Sequence, residues 1–260
     1  MMVYPNNAIR EDTLLAVPLQ GHSNILDAVK GTLDIPVQFT VGAAVIQGTL
    51  HKAFSQISVI LGNCSYSTAT VSLMDWRGIE LAHAHIHINN EFEIRNIAIP
   101  NSTPEITQFR IQFNNQGGGD LGFLYIGEQW RLPRFTVNPV ASLSIQSEGG
   151  RTFTGQARGY PAQALKGFEA AFIHNKTYCI DGNGTPRSFD DYVTLVQSTE
   201  AHVIDPYYGR PKESGCLDGR EWERPVMPPM LATIAEYDSK EKRNFDDFFW
   251  NVHLSWAEAR

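Results

Sequence analysis

Three histidines at every second position, His83-Ala84-His85-Ile86-His87, form the sharpest chemical signal in the sequence. Side chains alternate along an extended strand, so the three imidazoles share one face and Ala84, Ile86 and Ile88 the other. Same-face neighbours lie about 7 Å apart, and a His-x-His pair on a strand can ligate zinc, iron or copper. His83, His85 and His87 are therefore the candidate metal ligands. A hydrolytic centre would need further ligands, for which Glu80 and Glu91 are only sequence neighbours. The plain alternative is a solvent-facing strand that tolerates His. Such a face would also respond to pH, because imidazole gains its charge between about pH 5 and 8.

Nucleophilic chemistry finds no anchor. The sequence has no GxSxG, HExxH, Walker lysine motif or GxGxxG after a strand. Gly117–Gly119 reads as a turn rather than a phosphate cradle. Asp190-Asp191 sits at a helix start, where negative charge complements the helix dipole. Asp246-Asp247 falls in a charged segment where solvation suffices. Asp181-Gly182-Asn183-Gly184 has a calcium-loop flavour but lacks the remaining acidic positions, which favours turn chemistry.

Aromatic side chains offer a different chemistry, stacking against sugar rings. Trp76, at a turn, and Trp130, beside Arg131, are the candidates, with packing in the core as the alternative. Tyr207, Tyr208, Arg210 and Trp222 lie in a Tyr/Arg/Pro-rich stretch whose composition suits a subunit contact, the alternative being a loop folded back on its own domain. Trp250 and Trp256 would share a face of one unbroken strand, which reads as interface or core.

These groups must be held by strands. Phe109, Ile111 and Phe113 alternate with Arg110, Gln112 and Asn114, the period of a half-buried strand. After Gly117–Asp120, Leu121–Ile126 reads as a returning strand, giving a hairpin. Further strands are expected at Thr13–Pro18, Ile35–Val41, Ile57–Leu61, Ala69–Asp75, Ile79–Ile88 and Glu91–Ile99, with a short helix near His22–Lys30. No ten-residue amphipathic helices separate them, so an antiparallel β-sandwich over residues 1–132 is expected. Pro133 and Pro139 bracket a linker or crossover strand. The second module, 133–260, is β-rich α+β. Its expected strands are Thr152–Arg158, joined through Gly159-Tyr160-Pro161 to Leu165–Phe172, then Ala201–Ile204, Pro229–Tyr237 and Phe248–Ala257. Ser188–Thr199 has the spacing and opening of a helix, and DSKEKRNFDD reads as an exposed hairpin turn or loop.

The bulk composition agrees with a mainly β chain. Hydrophobic residues make up 42% of its 260 residues and charged ones only 19%, with 21 Gly and 14 Pro. That balance supports a packed core of strands and turns. A net charge of −7 argues against nucleic acid as a partner. No apolar run is long enough to cross a bilayer, and MMVYPNNAIRED shows no secretory signal, so neither a membrane nor a cofactor is expected. Cys64, Cys179 and Cys216 are odd in number and widely spaced, and read as free thiols of a reducing cytoplasm, although Cys179 and Cys216 could approach each other.

The segment LGFLYIGEQWRLPRF resembles the closing hairpin of a group of tail proteins from tailed bacteriophages. In the second module GRTFTGQARGYPAQALKGFEAAF resembles that family's strand pair, FDDYVTLVQST its following helix, and FFWNVHLSWAEAR its last strand. The resemblance implies a galactose-binding-like, jelly-roll sandwich followed by a tail-type domain, in a tail-tip or baseplate protein similar to distal tail proteins. It further implies a homo-oligomeric ring, other tail and baseplate proteins as partners, an outward sandwich, and assembly in the host cytoplasm into the virion tail. The insertion Lys176–Arg187 and the loop Gly209–Pro225 depart from that pattern. Two rival functions remain: a carbohydrate-binding module that recognises a cell-surface glycan, and a metal-dependent hydrolase using the three-His strand.

Overall fold

The computed structural model describes residues 1–21, 23–30, 36–40, 43–99, 104–114, 118–133, 139–146, 149–151, 157–159, 163–174, 179–197, 201–208, 224–225, 227–244 and 247–259. The first half contains β1 (Met2–Tyr4), β2 (Leu15–Val17), α1 (Ile25–Lys30), β3 (Val37–Phe39), β4 (Val45–Phe54), β5 (Gln56–Cys64), β6 (Thr68–Met74), β7 (Glu80–His87), β8 (Phe92–Ala98), β9 (Ile106–Phe113), β10 (Gly119–Gly127) and β11 (Trp130–Arg131). The fold is mainly β.

Alternation builds the outermost layer. β2, β4, β9, β6 and β7 pair in that order as an antiparallel five-stranded sheet. Val71 and Leu73 of β6, and Phe109, Ile111 and Phe113 of β9, point inward, while the residues between them face out. β3, β10, β5 and β8 form a four-stranded sheet against it. The two share one core, in which Ile46, Val71 and Phe109 pack with Val59, Leu61 and Ile126.

Two expectations are corrected here. β9 and β10 are not a hairpin: β9 pairs with β4 and β6, and β10 with β3 and β5, so the chain crosses between layers. Gly118 takes a positive φ of 76° in that crossing. The second correction is β4, a strand absent from the sequence reading. Its inward positions are Ile46, Gly48 and Leu50, and a register shift follows before Phe54. A Cβ on Gly48 would stand 3.1 Å from the Phe109 ring directly opposite. Glycine there makes room for that ring and hides the period of two.

The second half contains β12 (Val140–Gln146), β13 (Gly149–Arg151), β14 (Ala157–Gly159), β15 (Gln163–His174), β16 (Cys179–Ile180), β17 (Pro186–Arg187), α2 (Phe189–Gln197), β18 (His202–Asp205), β19 (Tyr207–Tyr208), β20 (Arg224–Pro225), β21 (Met230–Asn244) and β22 (Asp247–Glu258). A nine-stranded sheet runs β12-β15-β22-β21-β18-β1-β11-β16-β17. Val140–Gln146, which follows the stretch bracketed by Pro133 and Pro139, is a strand and pairs with β15, while residues 134–138 of the expected linker or crossover strand lie outside the described residues. Residues 152–156 and 160–162 lie outside the described residues. Most of DSKEKRNFDD is strand too, since β21 and β22 stay paired as far as Asn244↔Asp247. α2 opens with a reciprocal cap: Asp191 N–H donates to Ser188 Oγ, and Ser188 N–H donates to the Asp191 carboxylate. Its Phe189, Tyr192, Val193 and Val196 pack with Phe168 and Phe172 of β15.

β1 and β11 belong to this sheet although both lie within residues 1–132: β1 pairs with β11 on one side and with β18 on the other. The sheet covers the outer face of the four-stranded one. There Ile60, Phe92, Phe123 and Tyr125 are buried against Tyr4, Val203 and Leu231. The sandwich is therefore the outer part of three stacked layers. Gly62 is central to this packing. Phe92 and Phe123 flank it in register and meet edge to face with ring centroids 6.0 Å apart. A Cβ at Gly62 would come within 2.7 Å of the Phe92 ring and 2.9 Å of Phe123 Cβ. Gly62→Ala should therefore lower unfolding stability by about 1–3 kcal/mol, read as a reduced urea midpoint. A midpoint equal to wild type would contradict this packing.

Candidate functional site

The five-stranded sheet places all three imidazoles where the alternation predicts. β7 is an edge strand, and His83, His85 and His87 lie exposed on its outer face while Ile86 is buried. Their nitrogens already have local partners: His83 Nδ1 lies 3.1 Å from Glu80, and His85 Nδ1 lies 3.0 Å from the Thr70 hydroxyl. The His83 and His85 rings meet edge to face at 5.8 Å. Glu91 is directed elsewhere, to Lys166. Among the described residues no group of three or more His, Cys, Asp or Glu side chains converges to hold a metal ion.

The rest of that face is largely uncharged, Arg110 excepted. β6 contributes Thr68, Thr70, Ser72 and Met74, and β9 contributes Gln108, Arg110 and Gln112. Trp76 stands at the β6–β7 turn with 72% of its surface exposed. The Arg77 guanidinium lies 5.7 Å from its ring, and the Gln108 amide donates to the Trp76 carbonyl. A buried carboxylate sets this turn. Asp75 Oδ1 accepts from the Arg77 and Ile79 amides at 2.8 and 2.9 Å, and Oδ2 accepts from Arg77 Nε. Burial alone would raise the Asp75 pKa, but these hydrogen bonds hold it below the usual carboxylate range.

Asp181 repeats the device. Its Oδ1 accepts from the Asn183 and Thr185 amides and its Oδ2 from Arg187 Nε. Oxygens so engaged by N–H donors serve a turn, which is the chemistry expected for Asp181–Gly184 over a calcium loop. Both described thiols are free: Cys64 is half-buried and Cys179 buried. Burial raises both, Cys64 to about 11, so neither is a ready nucleophile. Cys216 lies outside the described residues.

Two tryptophans are corrected. Trp130 is only 7% exposed and packs beside Tyr192, which leaves no ring face for a sugar. Trp256 is 1% exposed and belongs to the core rather than to an interface. Its Nε1–H donates to Tyr192 Oη at 3.1 Å, and Tyr192 Oη lies 2.7 Å from His202 Nε2. Indole can only donate, so Tyr192 accepts from Trp256, and the imidazole tautomer sets the direction of its second hydrogen bond, to His202. Sequence reading missed this chain because Tyr192 and Trp256 are 64 residues apart. The backbones of Tyr207 and Tyr208 pair with β20, and that of Trp250 lies in β22. Arg210 and Trp222 lie outside the described residues.

A cleft of about 870 Å³ lies at the seam between the sandwich and the nine-stranded sheet, lined in part by Tyr4, Arg10, Asp12, Lys30, His51 and Tyr125. Its charges are of both signs, and Arg10 is paired with Asp12 at 2.7 Å. Among the described residues no helix is long and apolar enough to cross a membrane.

No protein-family model matches the chain, and neither does any curated protein. Three solved structures superpose on part of it. The lectin domain of lectinolysin complexed with Lewis B antigen does so with 16% identity over 44% of this chain and 89% of that one, TM-score 0.36. A histidine mutant of the lectin-binding domain of lectinolysin, complexed with Lewis b, aligns with 16% identity over 48% and 97%, TM-score 0.39. The enzymatically active domain of bacteriophage CBA120 tailspike protein 4 aligns with 18% identity over 44% and 19%, TM-score 0.28. Likenesses this shallow assign neither a family nor a ligand.

The buried histidine makes stability depend on pH. Burial lowers the His202 pKa from 6.5 to about 3. Between those values the unfolded chain binds a proton that the folded chain does not. Stability is therefore full above pH 6.5 and falls as the pH drops toward 3, by about 2 kcal/mol between pH 7 and pH 5 from this group. Urea unfolding at the two pH values should show that loss, and His202→Gln, whose amide can either donate to or accept from Tyr192, should reduce it. Parallel profiles for the two proteins would contradict the assignment.

Proposed function

We propose that this chain is a structural component of a bacteriophage tail tip or baseplate, docking to its neighbours in a ring through the nine-stranded sheet and presenting the β-sandwich outward. The observation that carries the reading is β12. Among the described residues this strand pairs on one side only, with β15. Val140 and Leu143 are 51% and 64% exposed, and the strand VASLSIQ contains neither charge nor proline. Edge strands that must face water are blunted by Lys, Pro, bulges or cover; one without these devices is suited to being covered. Strand addition by a neighbouring subunit would cover it, and such a head-to-tail contact closes into a ring when its rotation allows.

The β21–β22 hairpin supports the same reading. Among the described residues its pairs from Lys242↔Phe249 to Asn244↔Asp247 extend past the last β15 partner, His174↔Trp250. In this reading the partners are other tail components, the location is the virion tail, and no residue or cofactor carries out catalysis. The resemblance of the strand and helix segments to phage tail proteins is the further support. A second reading, a carbohydrate-binding module for host recognition, is favoured by the uncovered polar face beside Trp76.

Mass photometry with negative-stain imaging of the purified chain should show closed rings that populate with concentration. Val140→Lys combined with Leu143→Lys should shift the distribution to monomer while leaving the fold intact by circular dichroism. A monomer at every concentration, indifferent to the two lysines, would count against ring formation through β12.

A further inference from the structure

We propose that the outer face of the five-stranded sheet binds an acidic polysaccharide, held at Arg110 and bordered by His83, His85 and His87. This rests on the carbohydrate-binding reading and adds the chemical class of the glycan and the residues that select it. Strand register places Leu15, Gln47, Arg110, Ser72 and His83 in one row across all five strands. The adjacent row reads Val17, Val45, Gln112, Thr70 and His85. With neighbouring strands about 4.8 Å apart, each row spans roughly 19 Å, the scale of an extended oligosaccharide rather than of one sugar.

Arg110 is the distinctive member. It is exposed at the middle of its row, and among the described residues its guanidinium has no hydrogen-bond or ion-pair partner. A planar fork of donors matches a carboxylate or phosphate group. The neutral side chains around it, Gln47, Gln112 and Ser72, are donors and acceptors of the kind sugar hydroxyls need. No acidic residue faces out from β4, β6 or β9 in these rows. The acid on β7 itself, Glu80, is bonded to His83. On the turn that follows and at the start of β8, Glu91 and Glu93 are engaged by Lys166 and Asn90. Arg77 is tied to Asp75. Among the described residues the unopposed permanent charge of the face is thus a single cation. Trp76 offers an exposed indole at the same end of the sheet as Glu80.

Charge density decides between polyanions. Duplex nucleic acid presents about one charge per 1.7 Å, so a 19 Å row would meet roughly eleven phosphates with one permanent cation. The chain as a whole carries −7. A glycan whose charged sugars are separated by neutral ones fits a lone guanidinium among amides and hydroxyls.

Affinity electrophoresis of the full chain against hyaluronan, dextran and duplex DNA tests this. Retardation by hyaluronan and none by dextran is the expected result. Arg110→Gln should weaken hyaluronan binding roughly tenfold. The Arg110 side chain is exposed, and unchanged circular dichroism would confirm a folded variant. Equal retardation by dextran and hyaluronan, untouched by Arg110→Gln, would overturn the acidic class and leave carbohydrate binding standing. Retardation by neither polymer would overturn both, and preference for DNA would overturn the polysaccharide.

Discussion

The outer face of the four-stranded sheet cannot be left in water, and the rest of the architecture follows from covering it. Ile60, Phe92, Phe123 and Tyr125 lie on that face. Full burial of each such side chain favours the folded state by about 1.5–3 kcal/mol. An ordinary sandwich has one wet face per sheet, but here β5 and β10 are buried on both. The cover comes from Tyr4, Val203 and Leu231, which belong to three different strands of the nine-stranded sheet. Tyr4 and Tyr125 meet edge to face at 5.9 Å across the seam. Because β1 supplies one of these residues, the chain's first strand is committed to the second sheet.

Stacking three layers assigns roles to the surfaces that remain. The central strands of the middle sheet, β5 and β10, are covered on both faces and leave little to offer a ligand. What remains is the outer face of the five-stranded sheet, polar and uncovered, and the β12 margin of the nine-stranded one. Their chemistries differ: the first carries amides, hydroxyls, imidazoles and one unpaired guanidinium, whereas the second is a neutral strand with exposed Val140 and Leu143. The first suits hydroxyl-rich ligands, and the second suits another strand. On the proposed reading, attachment would fall to one layer of the chain and assembly to another.

Local patterns made part of this legible in the sequence. The period of two at Phe109–Phe113 and at His83–His87 fixed which side chains face out, and Ser188 with Asp191 marked the start of α2. What escaped was nonlocal. A glycine-rich turn after an alternating strand resembles a hairpin, yet the unbroken apolar run Leu121–Ile126 signals a strand covered on both faces, unlike its alternating neighbour. β4 was hidden because Gly48 yields its inward position to Phe109. Trp130 and Trp256 could not be assigned from their own segments. A tryptophan on a strand reads alike whether it meets a partner or its own core, and the group that satisfies the Trp256 N–H sits on α2.

Amide hydrogen exchange on the full chain, free and assembled, addresses the central claim most directly. The account predicts slow exchange in β5 and β10 in both states, as expected for strands covered on two faces. It also predicts protection gained on assembly along Val140–Gln146, with His83–His87 unchanged. Rapid exchange in β10, or protection gained at His83–His87 with none at Val140–Gln146, would contradict it.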